Sequence, residues 1–430
     1  MYVTIVGILM LVVFMGLILS KKVSTLTALV TVPIVFGLIA GFGVDTFIYA
    51  MKGIIGVGTT ISMLVFAILY FGIMLCTGLF DPLSGIALKF MKGDPFRVIL
   101  GTAILATLVS LDGDGTTTIM ICCAALLPVY KKLGINPLYL ALFIILPNGV
   151  INLLPWGGPT ASLLAVTNLD SNALLMKLIP LMLINIAVIC GMAAFAGLQE
   201  RKRLGIVNLE LQEAVAAAAS DREGFRRPKL IWFNLILTIV VLLAIVVIGI
   251  PGPLVFAFGA AVAMVVNYHD LKEERKVIEY NAEGIVNIVL MLLGAGILMG
   301  ILNESGMAEG MAQQLLAIIP ESWKSAFAFL VALISGPAVW ILNNNAFYFG
   351  IYPVLAETAT TLGFDAMNIG LVSLLGQALR GFSPVIPALY FMASYVGVEF
   401  SDFQKKAIPY SVVLFAANLL AGLVLGWYAL

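Results

Sequence analysis

Two acidic residues interrupt a long apolar stretch in the first half of the chain. Residues 111–118 read LDGDGTTT, which places Asp112 and Asp114 among glycines and threonines between hydrophobic runs. A carboxylate inside a membrane costs roughly 2.5–3.5 kcal/mol on insertion scales, so the pair needs a proton, an inorganic cation or a cation carried by another molecule to neutralise it. We therefore predict that this segment binds a cation, with Asp112 and Asp114 as candidate contacts for a coupling ion or a bound metal.

One basic residue falls within an apolar stretch in the second half. Residues 377–384 read QALRGFSP and contain Arg380. The planar guanidinium donates paired hydrogen bonds that match a carboxylate, and it stays charged under nearly all conditions. Arg380 therefore predicts an anionic ligand.

Four breaks of this kind occur inside apolar stretches, and each offers residues that suit the start of a helix. The breaks are residues 111–118, 148–160 (NGVINLLPWGGPT), 335–345 (SGPAVWILNNN) and 377–384, and the candidate first residues are Asp112 or Asp114, Gly158 before Pro159, one of Asn343, Asn344 and Asn345, and Ser383 before Pro384. A helix start carries free N–H groups and a partial positive charge, which favour an anion. Together with the acidic pair, these starts predict an anionic substrate whose binding depends on a cation, as in coupled symport.

Each of these residues also has a purely structural interpretation. Asp112 or Asp114 caps a helix, Arg380 pairs permanently with one of those carboxylates, and the three asparagines at 343–345 cap a turn. Packing is the preferred role for Trp156. The sequence leaves these alternatives open.

The composition requires a membrane. Hydrophobic residues make up 62% of the 430-residue chain and charged residues only 11%, against roughly 25% in soluble domains. The predicted spanning segments lie near 2–20, 24–42, 54–80, 136–169, 173–198, 230–250, 252–267, 285–302, 366–398 and 407–428. Two further stretches, 96–130 and 324–358, are interrupted midway and predict re-entrant hairpins.

The four cysteines (Cys76, Cys122, Cys123 and Cys190) fall in apolar runs and are interpreted as small hydrophobic residues.

Basic residues predict the orientation of the chain. With both termini outside, 19 of the 23 Lys and Arg fall in cytoplasmic loops, and only Lys52, Lys177 and Lys324 fall outside. Arg380 is the remaining one. The net charge of zero gives no reason to expect nucleic acid.

The order of elements repeats in the two halves of the chain. The predicted division is 1–199 (scaffold helices 1–92, hairpin and broken helix 93–199), a cytoplasmic linker at 200–229, and 230–430 (scaffold helices 230–322, hairpin and broken helix 323–430). Five crossings in each half make the halves oppositely oriented. The predicted fold class is thus an all-α polytopic membrane protein of two inverted repeats, with about ten transmembrane helices, two re-entrant hairpins and two broken helices.

Four motifs resemble the citrate-metal:proton symporter (CitMHS) family of the ion transporter superfamily. They are LDGDGTTT at 111–118, LLPVYKKLGINP at 126–137, NLLPWGGPT at 152–160 and SPVIPALYFMASYVGVEF at 383–400. The resemblance implies proton-coupled uptake of citrate or a related carboxylate across the cell inner membrane, often as a complex with Mg or Ca. It implies no resident cofactor, a homodimer, and an elevator movement of the hairpins and broken helices against the scaffold.

The resemblance also implies a set of substrate-binding residues from both repeats. These are Asp112, Gly113, Asp114, Thr116, Thr117, Thr118, Asn152, Gly157, Gly158 and Thr160 from the first repeat, and Asn343, Asn344, Asn345, Arg380, Gly381 and Ser383 from the second. Sodium-coupled relatives place Ser-Asn-Thr at both hairpin tips. This chain has that triplet at neither tip, so sodium coupling is not what the resemblance favours.

Other classes of protein fit the sequence less well. An intramembrane aspartyl protease needs Gly-x-Gly-Asp, whereas residues 113–116 read GDGT, and a serine protease needs a membrane His, whereas His269 falls in a loop. An enzyme is therefore not expected. A channel remains an alternative because re-entrant loops also form filters, as does an exchanger or carrier for another organic anion such as gluconate or a dicarboxylate.

Overall fold

The computed structural model describes residues 1–20, 22–79, 93–113, 115–167, 169–206, 224–342, 344–384 and 386–429. Every regular element in these ranges is a helix, which confirms the all-α prediction. The first half contains α1 (Tyr2–Ser20), α2 (Thr25–Ile39), α3 (Asp45–Gly56), α4 (Gly58–Cys76), α5 (Pro95–Val109), α6 (Gly115–Leu133), α7 (Pro137–Ile151), α8 (Gly158–Val166) and α9 (Ser171–Leu204). The second half contains α10 (Ile231–Val246), α11 (Gly252–Asn267), α12 (Leu271–Glu304), α13 (Met307–Ile318), α14 (Glu321–Lys324), α15 (Phe327–Ile341), α16 (Asn344–Ala346), α17 (Tyr352–Thr361), α18 (Ala366–Leu374), α19 (Pro387–Val396) and α20 (Phe400–Val424).

Many of these helices are apolar enough for a membrane. Among the described residues, six helical segments of 19 to 34 residues have the length and composition to span a bilayer, and six shorter helices are also apolar. The long segments are Gly58–Cys76, Gly115–Leu133, Ser171–Leu204, Pro228–Val246, Leu271–Glu304 and Phe400–Val424. The chain is thus a multi-pass membrane protein, and each of the ten predicted spanning segments contains a helix.

Contacts between helix ends agree with the predicted grouping of loops. At one end, the Arg227 backbone N–H donates to the Thr77 carbonyl at 2.9 Å, and its side chain contacts the Asn267 carbonyl and Glu273. At the other end, Asn172 Nδ2 donates to the Ile250 carbonyl at 2.9 Å. Residues assigned to the same side of the membrane therefore meet.

The scaffold part differs from the prediction at residues 54–80. A short helix, α3, precedes the crossing helix α4, and it packs against α12. Glycines allow this close approach, because a Cβ on Gly53 would lie 1.9 Å from the Gly296 carbonyl oxygen and one on Gly300 would lie 2.2 Å from the Tyr49 carbonyl oxygen. The predicted span 285–302 is likewise only the last part of the 34-residue helix α12.

Both predicted hairpins are present as pairs of helices. In the first, α5 continues into a 3-10 turn, Ser110–Asp112, and α6 begins at Gly115. In the second, α15 runs through Pro337 to Ile341 and α16 begins at Asn344, so the Ser-Gly-Pro segment lies within a helix. A π-helical turn, Phe347–Ile351, then leads into α17.

Both predicted broken helices are also present. Residues 152–157 separate α7 from α8, and α8 begins at Gly158 as predicted. In the second half, α18 continues into a 3-10 helix, Leu375–Phe382, before α19. The prediction that a helix begins at Ser383 and Pro384 is wrong, because α19 begins at Pro387 with Ile386 before it.

Three remaining predictions concern the cysteines, the linker and residues 210–219 of the linker, whose sequence favours a helix. All four cysteines are free, and Cys190 is half-buried whereas the others are buried. Helix α9 extends to Leu204, five residues into the predicted linker that begins at 200. Residues 207–223, which include the helix-prone segment 210–219, lie outside the described residues.

Candidate functional site

The first hairpin tip lies against the break between α7 and α8. Gly113 adopts φ +80°, a left-handed conformation that glycine accepts without strain. Trp156 Nε1 donates a 2.9 Å hydrogen bond to the Leu111 carbonyl, which ties the break to the tip. A Cβ on Gly113 would lie 3.2 Å from Trp156 Cδ1, so little room remains between them.

Trp156 is a packing residue, as preferred from the sequence. Its side chain is 2% exposed and stacks on Phe71 of α4, with ring centroids 5.3 Å apart. It also meets the edge of Phe256 of α11 at 5.0 Å. The break between α7 and α8 thus packs against two helices of the predicted scaffold, α4 and α11.

A polar network joins α7 to the first hairpin. Asn148 Nδ2 contacts Ser110 Oγ at 3.3 Å and Thr118 Oγ1 at 3.5 Å, and these two hydroxyls lie 3.2 Å apart. Asn152 Nδ2 donates to Asn148 Oδ1 at 3.0 Å. Since Asn148 and Asn152 are four residues apart on one helix face, the network extends along α7 to the point where it breaks.

The start of α8 is shaped by a close backbone contact. A Cβ on Gly157 would lie 2.0 Å from the Asn152 carbonyl oxygen. Thr160 Oγ1 donates to the Leu153 carbonyl at 2.8 Å, so that hydroxyl stabilises the break. Helix α8 also contacts the second repeat, because Ser162 Oγ, which donates to the Gly158 carbonyl at 2.9 Å, lies 3.2 Å from Asn345 Oδ1.

The second repeat supplies its own contacts between tip and break. Gln377 Nε2 donates to Asn344 Oδ1 at 3.2 Å, and Ser383 Oγ donates to the Trp340 carbonyl at 2.7 Å. Asn344 Nδ2 lies 3.9 Å from the position that a Cβ on Gly158 would take. The tip of the second hairpin therefore meets the start of α8.

These elements enclose a cavity of about 370 Å³. Its described lining comes from the first hairpin, α7, the start of α8, the 3-10 helix and α19: Gly113, Gly115, Thr116, Ile145, Asn148, Gly149, Asn152, Gly158, Arg380, Gly381, Ile386, Ala388 and Leu389. This volume is in the range of small-molecule sites. We call it the substrate cavity because six of the predicted substrate-binding residues line it.

Arg380 supplies a positive charge to the substrate cavity. Its Nη1 atom is buried and has no hydrogen-bond partner among the described residues. A buried guanidinium nitrogen without a partner is costly, so it favours an anionic ligand that accepts its hydrogen bonds. The side chains of Asp112 and Asp114 lie outside the described part of the chain, so the alternative of a permanent ion pair with either one stays open.

The structure brings six of the predicted site residues to the cavity wall and places others behind it. Gly113, Thr116, Asn152, Gly158, Arg380 and Gly381 line the cavity. The contacts given above involve six others: Thr118, Gly157, Thr160, Asn344, Asn345 and Ser383. Thr117 is half-buried on α6 and is not among the residues that line the cavity. Asn343, like Asp114, is outside the described residues, and no group of three potential metal-ligating side chains occurs within the described part of the chain.

Sequence reasoning missed Asn148 and Gly149 as site residues. Both line the substrate cavity, and Asn148 connects three other polar residues. A signal was available, since Asn148 opens the break motif four residues before Asn152 and therefore shares its helix face.

Comparisons with known proteins agree with this architecture. The model of a family described as citrate transporter (CitMHS) matches residues 3–376. A "Citrate transporter" of Bacillus subtilis (strain 168) is 44% identical over 98% of both chains. A "Mg(2+)/citrate complex secondary transporter" of the same organism is 39% identical over 98% of both chains.

A solved structure shares the fold at low sequence identity. The YdaH transporter of Alcanivorax borkumensis matches with a TM-score of 0.60 over 90% of this chain and 88% of that one. Its sequence is 15% identical, so the likeness concerns the fold alone.

Proposed function

We infer the function from one premise: this chain belongs to the citrate transporter family. It is a transporter and not an enzyme. We propose that it is a secondary active transporter that takes up citrate or a related carboxylate by symport with protons, and that a divalent metal such as Mg or Ca travels with the substrate.

The observation that carries this proposal is the position of Arg380. Its Nη1 atom has no partner among the described residues, and Arg380 lines a cavity of about 370 Å³ together with Gly158 at the start of α8. The guanidinium and the free N–H groups of a helix start both favour a carboxylate. The substrate cavity thus offers an anion two kinds of positive partner.

The acidic pair supports a role for a metal or proton. Gly113 lines the substrate cavity, and Asp112 and Asp114 are its direct neighbours in the chain. Carboxylates bind Mg and Ca, and they also take up protons when they are shielded from water. A relative named for the Mg(2+)/citrate complex makes the metal-bound substrate the first one to test.

Uptake of labelled citrate into proteoliposomes tests the proposal. We expect accumulation with Mg or Ca and an inward proton gradient, and loss of accumulation when either the gradient or the metal is removed. Concentrative uptake also separates a carrier from a channel. Absence of citrate uptake under every condition would contradict the assignment of substrate and turn attention to gluconate or dicarboxylates.

We further propose two inverted repeats, 1–199 and 230–430, that share one transport mechanism. The packing supports this division, because α2 contacts α12 and the corresponding pair, α11 and α4, is also in contact. In this arrangement α1–α4 and α10–α13 form a scaffold, and the hairpins and broken helices move against it as an elevator. A homodimer through the scaffold, an inner-membrane location and both termini outside complete the proposal.

A further inference from the structure

A second, much smaller cavity lies beside the substrate cavity. It measures about 10 Å³, and its polar lining consists of Asn185 of α9, Gln377 of the 3-10 helix and Asn418 of α20. Gly149 and Gly381 line both cavities. We call this space, defined by the three amide side chains, the amide cavity.

Three residues that line the amide cavity carry a side-chain oxygen without a partner among the described residues. Asn185 Oδ1, Gln377 Oε1 and Asn418 Oδ1 are buried and have no hydrogen bond among the described residues. The three residues are 1%, 4% and 1% exposed. Buried polar groups are almost always paired, so three unpaired acceptors at one place indicate that something binds there.

Hydrogen bonds fix the direction of two of these amides. Gln377 Nε2 donates to Asn344 Oδ1 at 3.2 Å, and Asn418 Nδ2 donates to the Leu375 carbonyl at 2.8 Å. These two bonds identify the nitrogen of each amide, so the atom without a partner among the described residues is in each case the carbonyl oxygen. The nearby Tyr348 hydroxyl donates to the Ser373 carbonyl at 3.3 Å, so its proton is also used.

A fourth oxygen lies close to the same place. Ser411 Oγ on α20 is fully buried and unpaired among the described residues, and it lies 3.3 Å from the position of a Cβ on Gly381. The residues that carry these four oxygens therefore come from three separate elements around one small space.

The number and type of these oxygens decide the occupant. A water molecule donates two hydrogen bonds, which leaves at least one of the three amide oxygens unpaired. A cation attracts all of them at once. No carboxylate belongs to the described lining, whereas Ca²⁺ and Mg²⁺ sites in proteins include carboxylates, so a monovalent ion fits better. We propose that the amide cavity binds one sodium ion.

The charge of Arg380 makes the sodium affinity of the amide cavity depend on the substrate. Its neighbour Gly381 lines the amide cavity, so the guanidinium charge repels a cation there until an anion neutralises it. This step rests on the proposed function, and it means that sodium and the carboxylate each raise the affinity for the other by the same factor. The site is separate from the hairpin tips, where this chain lacks the Ser-Asn-Thr triplet.

Thermal unfolding of the purified protein tests sodium binding without transport. We expect NaCl to raise the unfolding midpoint saturably relative to choline chloride at equal concentration, since a ligand that binds only the folded state stabilises it. Ser411→Ala removes one oxygen with little change of shape. It should raise the half-saturating sodium concentration about tenfold, as expected for the loss of one contact to a charged group.

Two further variants keep the test decisive. Ser335→Ala is the matched control, because Ser335 is equally buried but its Oγ donates to the Ala332 carbonyl at 2.7 Å, away from the amide cavity. It should leave the sodium response unchanged. Arg380→Gln removes the repelling charge and should lower the half-saturating sodium concentration about fivefold or more without citrate.

Because the Arg380→Gln measurement needs no citrate, it is independent of the assigned substrate. A sodium response in this variant supports the ion site even if citrate proves to be the wrong carboxylate. Equal midpoints in NaCl and choline chloride, for both the wild type and Arg380→Gln, would overturn the sodium site.

Discussion

Arg380 shows how much a single residue can reveal from sequence. A basic residue within an apolar stretch is costly, so its presence alone predicts a ligand or a partner. The structure adds that Nη1 is unpaired among the described residues and that the residue lines the substrate cavity. The sequence could not supply this, because the cavity is built from elements nearly 270 residues apart, Gly113 and Arg380 among them.

Replacement of Arg380 should remove substrate binding. Truncation of one partner of a buried charge pair costs about 2–5 kcal/mol, so we expect Arg380→Gln to weaken citrate binding roughly 30-fold or more. Arg380→Lys keeps the charge but loses the paired geometry and should retain part of the affinity. Binding to the purified protein, with uptake as a second readout, measures the effect.

Lys272→Gln is the control for this comparison. Lys272 also carries a positive charge, but it is exposed at the start of α12. Its replacement should leave binding unchanged. Normal citrate affinity in Arg380→Gln would remove Arg380 from the proposed site.

Asn148 is the residue that the sequence analysis missed, and it should matter for both stability and transport. Asn148→Leu removes the contacts of this amide with the Ser110 and Thr118 hydroxyls and leaves Asn152 Nδ2 without its Asn148 acceptor. An unpaired buried group costs about 1–3 kcal/mol, so the unfolding midpoint should fall and citrate uptake should drop with it. Asn172→Leu, which loses one hydrogen bond at the Ile250 carbonyl, should keep full uptake. Equal uptake in both variants would show that the Asn148 network does not support the site.

At the scale of elements, the sequence predicted where helices break better than where they begin again. The PWGGPT segment gave the start of α8 correctly, because Gly158 and Pro159 suit the first positions of a helix. The same reasoning failed at Ser383 and Pro384, since the chain makes a 3-10 helix and reaches Pro387 before α19 begins. Ser383 instead donates to the Trp340 carbonyl, a contact 43 residues away that local pattern cannot reveal.

Pro337 does not interrupt its helix, although it lies within the predicted break 335–345. Helix α15 continues through it, although proline removes one helical hydrogen bond. The neighbouring backbone is held by packing, because a Cβ on Gly376 would lie 2.3 Å from the Ser335 carbonyl carbon. Tertiary contact with the 3-10 helix therefore outweighs the local preference.

The break before α8 should tolerate no side chain at Gly157. Its φ of −78° suits any residue, so backbone strain is not the reason for glycine. A Cβ would lie 2.0 Å from the Asn152 carbonyl oxygen, and Gly157→Ala should therefore displace the start of α8 and abolish uptake. Gly191→Ala in α9, where a Cβ meets nothing within 4 Å, is the matched control and should be neutral or stabilising by about 0.5–1 kcal/mol. Wild-type uptake by Gly157→Ala would show that the break can adjust.

At the scale of the whole molecule, composition and loop charge predicted the class of protein, while the pairing of the two halves needed the structure. Apolar runs and Lys/Arg counts follow from single residues and their neighbours. The meeting of Asn344 with Gly158 and of Ser162 with Asn345 joins the two halves at the site, and no local signal specifies those partners. The sequence therefore predicted four breaks around a binding site, but it could not specify which of their residues would meet there.

The proposed elevator movement predicts that a link between the scaffold and the moving part stops transport. A cavity of about 140 Å³ lies between them, with Val57 of the scaffold and Thr167 at the end of α8 in its lining. In a background without the native cysteines, Val57→Cys combined with Thr167→Cys should be joined by a short thiol-reactive cross-linker. Uptake should then be lost and should return when the link is cleaved, because α8 can no longer slide past α3 and α12. Each single cysteine variant, treated in the same way, should transport normally. Full uptake by the quantitatively linked protein would show that α8 and the scaffold move together, which the elevator arrangement does not allow.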